Sequence, residues 1–468
     1  MNQKVIVISV PFQRLIRNLL GAPILGTIQS SVEADIIIVS PFSDDIAFQK
    51  EFEGANVSFV NWNPPIKLKQ PNGFLFTILE ILRVNGFWRK YRKMGMEAYL
   101  VNNKMRFGVD GKDTYFSWPK RTFFSLLSWI GTSQKAWITF LNWMPKSYLY
   151  CFELDNILAK YDQVTLVQSA NWGYQDHMLA WKGRNKNWKK VMIPYTVDQL
   201  FANGYLLSDY DVICVQGTNE WEYAQLLHHY PLSKITKLGS AWFTNMGYLK
   251  KKYAERLSPN EQVKNSKRQI LYTGCSSQFF PASSEYEGLD YLLQAINSGE
   301  LKNVEVTYRP LGETEARKVE IMEKYWNTNY LKIEFAQKAC FGLAEFDSVS
   351  QELQLVEHIE QLSNADLIMM CFATSIAQDA AFLGIPSVIN LVDNTGIVKG
   401  RGVHGQINDQ GYVRLFEGLP IAYNYQELIS MAKELLNEQE LAKSQANYTV
   451  SLWHYPEEDF TQRLIEVL

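Results

Sequence analysis

The hydrophobic and polar positions of this chain follow two periods. Short apolar runs of strand length are separated by segments whose apolar residues recur at helical spacing. The clearest case is Ala365 to Asn394. Leu367 to Phe372 is a continuous apolar run, and Ile376, Ala377, Ala380, Ala381 and Leu383 then recur along one helical face. Gly384 suits the position just past a helix C-terminus, with Pro386 shortly after it, and Ser387 to Val392 is a second, largely apolar run. Strand, short helix, strand predicts a βαβ unit whose two strands are parallel and buried on both faces.

The same rhythm extends over most of the sequence. It predicts strands at Lys4 to Ser9, Asp35 to Ser40, Val57 to Val60, Gln163 to Gln168, Lys190 to Ile193, Asp211 to Gln216 and Lys234 to Gly239. It resumes with Gln269 to Thr273, Val304 to Tyr308 and Leu331 to Phe335. Helices are predicted at Glu220 to Leu227, Glu352 to Leu362, Leu428 to Leu436 and Phe460 to Leu468. Lys250 to Lys267 has little apolar content and reads as a linker. The expected organisation is α/β with two Rossmann-like domains, 1–245 and 268–448, and a terminal segment 449–468 whose helix could cross back to the first domain.

Residues 74–160 depart from this rhythm. Strand-like runs are scarce, and basic residues from Arg83 to Arg121 interleave with aromatics such as Phe87, Trp88, Tyr91 and Trp118. The segment is expected to be a helical insertion in the first domain. Either its aromatics pack inward and its charges are solvated, or residues 83–144 lie on an anionic membrane surface. No nucleic-acid recognition module is visible, so nucleic acid is not an expected partner.

Composition narrows the picture only modestly. At 468 residues a single core is not expected, and 47% hydrophobic with 20% charged residues is globular. A net charge of −3 favours neither nucleic acid nor membrane in bulk. The 5 cysteines are widely spaced and contain no CxxC pair, which reads as free thiols in a reducing compartment and no zinc site. The run Val5 to Val10 is too short for a signal sequence, and no stretch of about 18 uncharged apolar residues is present to span a bilayer. The expected location is cytoplasmic, with peripheral contact to the inner face of the membrane.

Ligands of open parallel sheets bind outside the carboxyl ends of the strands. Several candidates sit at such ends. Thr374 and Ser375 could cradle a diphosphate, and Asp379 could accept bonds from ribose hydroxyls. The plainer reading makes Ser375 to Gln378 a capping box. Gly274, Ser276 and Ser277 lie between a strand and a helix, where a Gly with small hydroxyls lets a phosphate approach closely, or forms an ordinary loop. Arg309 ends a strand before Pro310 and suits either bidentate phosphate recognition or an ion pair. Asp176 and His177 close the polar loop after Gln168, and either could be a general base or simply solvated; Asp198 is a third candidate. His404 could contact phosphate or nucleotide, or sit in a surface loop.

The stretch TSIAQDAAFLGIPSVI, residues 374–389, resembles the donor-site segment of GT-B fold nucleotide-sugar glycosyltransferases. Many members of that group carry Glu where this chain has Asp379. The segment 193–243, beginning IPYTVD and ending near Gly239-Ser240, resembles the end of the first domain in bacterial surface-polysaccharide glycosyltransferases. This resemblance implies a nucleotide-activated sugar docked on the second half and a glycan or lipid-linked acceptor on the first. It also implies a leaving diphosphate stabilised by a helix N-terminus and Arg309, with no metal and no cofactor beyond the nucleotide-sugar itself. The alternatives are a nucleotide-sugar 2-epimerase or polyol-phosphate transferase of the same fold, or a non-catalytic partner subunit.

Overall fold

The computed structural model describes residues 3–61, 152–169, 174–202, 204–257, 267–275, 282–311, 314–335, 351–372, 374–392, 418–455 and 460–468, with residues 280 and 139 and most of 83–91. Two compact units emerge. Unit 1 comprises Met1–Tyr248, Gly342–Glu352 and Trp453–Leu468; unit 2 comprises Leu249–Phe341 and Leu353–Leu452.

Unit 1 is built on a 7-stranded sheet in the order β3-β2-β1-β4-β5-β6-β7. Its strands are β1 (Lys4–Ser9), β2 (Asp35–Ser40), β3 (Val57–Asn61), β4 (Gln163–Gln168), β5 (Lys189–Met192), β6 (Val212–Val215) and β7 (Ile235–Lys237). Every pairing is parallel, and the β-branched residues of β1 and β2 are buried on both faces. Helix α1 (Gln13–Leu19) follows β1, and α2 (Tyr174–Asn185) follows β4. Strand order reverses between β1 and β4, so the carboxyl ends of these two strands flank the crevice where such sheets bind ligands.

Unit 2 repeats the plan with a 6-stranded parallel sheet, β10-β9-β8-β11-β12-β13. The strands are β8 (Arg268–Thr273), β9 (Val304–Arg309), β10 (Leu331–Ile333), β11 (Leu367–Cys371), β12 (Ser387–Asn390) and β13 (Ile421–Ala422). Its reversal lies between β8 and β11. Three helices matter for the site: α3 (Ala282–Asn297), α4 (Gln351–Ser363) and α5 (Ile376–Phe382). Helix α5 stops as the sequence predicts. Gly384 takes φ +76, and the N–H of Ile385 reaches back to the Ala380 carbonyl at 2.8 Å.

The terminal helix α6 (Phe460–Val467) belongs to unit 1, where Phe460, Leu464 and Val467 join the core formed by β1, β2 and α1. Those apolar residues share one helical face, which is the face the helix buries. The stretch expected as a linker is helical as far as Leu257. Most of the expected insertion 74–160 lies outside the described residues. Of the part described, Phe87 and Tyr91 pack inward, and Arg83 is buried with its guanidinium on the Tyr205 carbonyl at 2.6 Å. That arginine departs from the expectation of solvated charge: a backbone carbonyl deep in unit 1 accepts its hydrogen bond. No helix among the described residues is long and apolar enough to cross a membrane.

Candidate functional site

The reversal edge of unit 2 gathers several of the predicted residues. Arg309 is the last residue of β9, and Asp379 sits in the first turn of α5. Arg309 donates to the side-chain oxygen of Gln361 on α4. Its alternative reading as an ion pair gives way to an amide contact. Burial lowers the Arg309 pKa, and the nearby negative charges of Glu334 and Asp379 oppose that shift. Asp379 is 5% exposed, and its Oδ2 lies 2.9 Å from His358 Nε2, also on α4. One helix therefore touches both residues. The sequence pattern singled out neither His358 nor Gln361, although both fall within a helix that it predicts.

Phe372, directly after β11, takes φ +64. A bulky residue in that region costs of order 1 kcal/mol and is held there by its surroundings. Its N–H bonds to the Asn390 carbonyl at 3.0 Å, which joins the ends of β11 and β12 at this edge.

Gly274 follows β8, and its N–H bonds to the Arg309 carbonyl at 2.9 Å. A Cβ here would overlap Glu285 Oε1, so only Gly fits. Glu285, on α3, is fully buried. It accepts from the N–H of Cys275 at 3.2 Å, from Arg317 at 3.1 Å and from the Tyr308 hydroxyl. Burial raises the Glu285 pKa, while Arg317 and these hydrogen bonds pull it back. Sequence reasoning passes over Glu285; its one signal is a carboxylate placed on the apolar face of α3.

Thr374 is partly exposed, with its hydroxyl 4.0 Å from Met370 Sδ. The capping box expected at Ser375 is absent. Ser375 has helical backbone angles, φ −60 and ψ −17, and caps nothing. A side-chain cap needs an extended backbone at that residue. Its hydroxyl stays exposed. Ser276, Ser277 and His404 lie outside the described residues.

The reversal edge of unit 1 has a different character. Asp176 and His177, expected in a loop, occupy the first turn of α2 and are buried. The reason is long-range. Ser9, ending β1, donates to Asp176 Oδ1 at 2.6 Å, and the Gln168 amide donates to the same oxygen at 3.2 Å and to the Asp176 carbonyl at 2.9 Å. Gln175 donates to the Ser9 hydroxyl at 3.0 Å, and Tyr210 donates to Gln168 at 3.1 Å. Burial pushes the Asp176 carboxyl up to about 7, against the pull of Ser9 and Gln168. Asp176 Oδ2, the Ser169 hydroxyl and the Gln13 amide are buried at this end of the sheet and make no hydrogen bond among the described residues. The distance along the chain hides this network from the sequence.

Among the described residues, Cys214, Cys275 and Cys371 are buried and form no disulfide. Among the same residues no group of His, Cys, Asp or Glu converges to hold a metal.

No protein-family model and no curated protein matches the chain. Solved structures do. The S. aureus MnaA–UDP co-structure aligns at 10% identity over 99% of this chain and 95% of that one, with a TM-score of 0.54. A structure described as a UDP-N-acetylglucosamine 2-epimerase from Listeria monocytogenes aligns at 11% identity over 99% and 95%, with a TM-score of 0.53. A glycosyltransferase from Rickettsia africae aligns at 8% identity over 100% and 97%; its TM-score of 0.47 is too low to add to the argument. At such identities the likeness is one of fold. Two parallel sheets with flanking helices, each reversing at its first strand, give this chain the GT-B fold of two Rossmann-like domains.

Proposed function

We propose that the chain is a metal-independent glycosyltransferase that moves a sugar from a nucleotide-activated donor to a hydroxyl of a glycan or lipid-linked acceptor. The observation that carries this reading is the convergence of Arg309, Asp379 and His358 at the reversal edge of unit 2. A guanidinium beside a carboxylate matches the two halves of a nucleoside diphosphate, the anionic phosphates and the ribose hydroxyls. The UDP in the MnaA co-structure agrees with a nucleotide ligand for this fold. Gly274, Ser276, Ser277, Thr374, Ser375 and His404 complete the donor set on this reading.

The acceptor group binds unit 1, with Asp176 as general base in preference to His177. A carboxyl with a pKa of about 7 holds and releases a proton near neutral pH, and its Oδ2 makes no hydrogen bond among the described residues. The acceptor oxygen attacks the anomeric carbon and its proton passes to Asp176. The bond to the diphosphate breaks with its electron pair leaving on the phosphate, where Arg309 offsets the charge. Because Asp176 is fully buried, the acceptor must displace the side chains that cover it.

A second reading, a UDP-sugar 2-epimerase, draws support from the fold shared with the Listeria epimerase structure. Incubation with UDP-, GDP- and CDP-sugars, followed by product analysis, separates the two. Transfer to an added acceptor supports the first reading; an epimerised nucleotide sugar without transfer supports the second. Failure of every nucleoside diphosphate to bind defeats both and leaves a non-catalytic partner subunit. Peripheral membrane contact through residues 83–144 is part of the proposal. Flotation with anionic liposomes, lost when Arg89, Lys90, Arg92 and Lys93 become Glu, is its test.

A further inference from the structure

Arg309 and Asp379 arrive at one place from different elements, a strand end and a short helix. Neither element fixes the distance between them. Both side chains end against α4. His358 Nε2 meets Asp379 Oδ2 at 2.9 Å, and Gln361 accepts from Arg309 Nη1. His358 and Gln361 are three residues apart on a 13-residue helix, so they project from neighbouring positions on the same face. The apolar face of that helix anchors it, with Leu355, Val356, Ile359 and Leu362 buried in unit 2. It is a rigid rail compared with the long side chains that rest on it.

We infer that α4 sets the donor geometry: His358 is a positioning residue that aims Asp379 at the ribose, and Gln361 is one that aims Arg309 at the diphosphate. The inference rests on the donor reading above and assigns it a specificity. A carboxylate held by an imidazole N–H keeps its remaining lone pairs in a fixed direction. The protein should therefore discriminate ribonucleotides from their 2′-deoxy counterparts through Asp379. His358 would control that discrimination without touching the nucleotide. Gln361 would act on the phosphates, which the two nucleotides share.

The experiment is calorimetric titration of the full-length chain with UDP, GDP and CDP, and with the 2′-deoxy form of whichever binds most tightly. The wild type should prefer the ribonucleotide by about tenfold, the value of one hydrogen bond to a charged group. His358→Phe should bring the ratio close to one by weakening the ribonucleotide alone. His358→Gln, which keeps an N–H donor, should restore most of it. Gln361→Ala should weaken both nucleotides equally, by about fivefold. A wild-type ratio near one, a ratio unchanged in His358→Phe, or an equal loss for both nucleotides in that variant would overturn the inference. The last result is what a purely structural role produces. If no nucleoside diphosphate binds the wild type, the donor reading falls first and takes this one with it.

Discussion

The two sheets end in carboxylates that are treated in opposite ways. At the reversal edge of unit 2, Glu285 is buried against Arg317, and Asp379 is held by His358 with the charge of Arg309 close by. At the matching edge of unit 1, Asp176 meets neutral groups, the Ser9 hydroxyl and the Gln168 amide, and its second oxygen makes no hydrogen bond among the described residues. The same fold therefore yields two chemistries. A desolvated carboxyl opposed by a cation, as Glu285 is by Arg317, has its upward shift pulled back by that charge. One desolvated among neutral dipoles sits near its protonation midpoint and can exchange a proton.

The largest test of this contrast is Arg317→Ala. It strands the Glu285 charge, and a broken buried pair costs about 3–5 kcal/mol. Urea unfolding should show that loss, and adding Glu285→Gln should recover part of it. A loss under about 1 kcal/mol would mean that Glu285 is already neutral, like Asp176, and would erase the distinction.

Next comes Asp176→Asn, read through pH. The folded pKa of about 7 exceeds the ordinary 3.8, so between those values the folded protein holds a proton that the unfolded chain has lost. The wild type therefore carries no penalty at low pH and loses stability as pH rises from about 4 to 7, reaching a plateau above that. The gap between wild type and variant should change by about 3–4 kcal/mol from pH 4 to pH 8, in favour of the variant at high pH. A gap independent of pH would place Asp176 among the charge-stabilised carboxylates. In activity assays the wild-type transfer rate should rise through neutral pH, and the variant should lose that limb.

A smaller effect probes the packing beneath the unit 2 edge. A Cβ on Gly288 would overlap the Tyr272 hydroxyl and lie 2.7 Å from the Asn390 amide, inside a buried network that also includes Cys371. Gly288→Ala should cost about 1–3 kcal/mol in unfolding free energy. The smallest expected effect is Arg256→Ala. Its pair with Glu360 has a separation of 2.8 Å, but both partners are largely solvated. The change should be under about 1 kcal/mol and should fade in high salt, unlike Arg317→Ala.

What the sequence decided by itself was the local pattern. β1, β2 and β4 end where their apolar runs end, and Gly384 stops α5, because burial on both sheet faces and the left-handed turn are demands on consecutive residues. Arg309 and Asp379 were legible as candidates because strand ends and helix starts can be read from period alone. Elements without such a pattern were missed: β13 is two residues long, and the helix Glu315–Tyr325 is largely exposed. Tertiary structure alone decided the state of each charged group. Asp176 reads as solvated until Ser9, far back in the chain, is brought against it; His358 reads as one more helix residue until α4 lies beside Asp379. The physical reason is that secondary structure answers to neighbours in sequence, whereas desolvation and charge pairing depend on which atoms fill the space around a side chain.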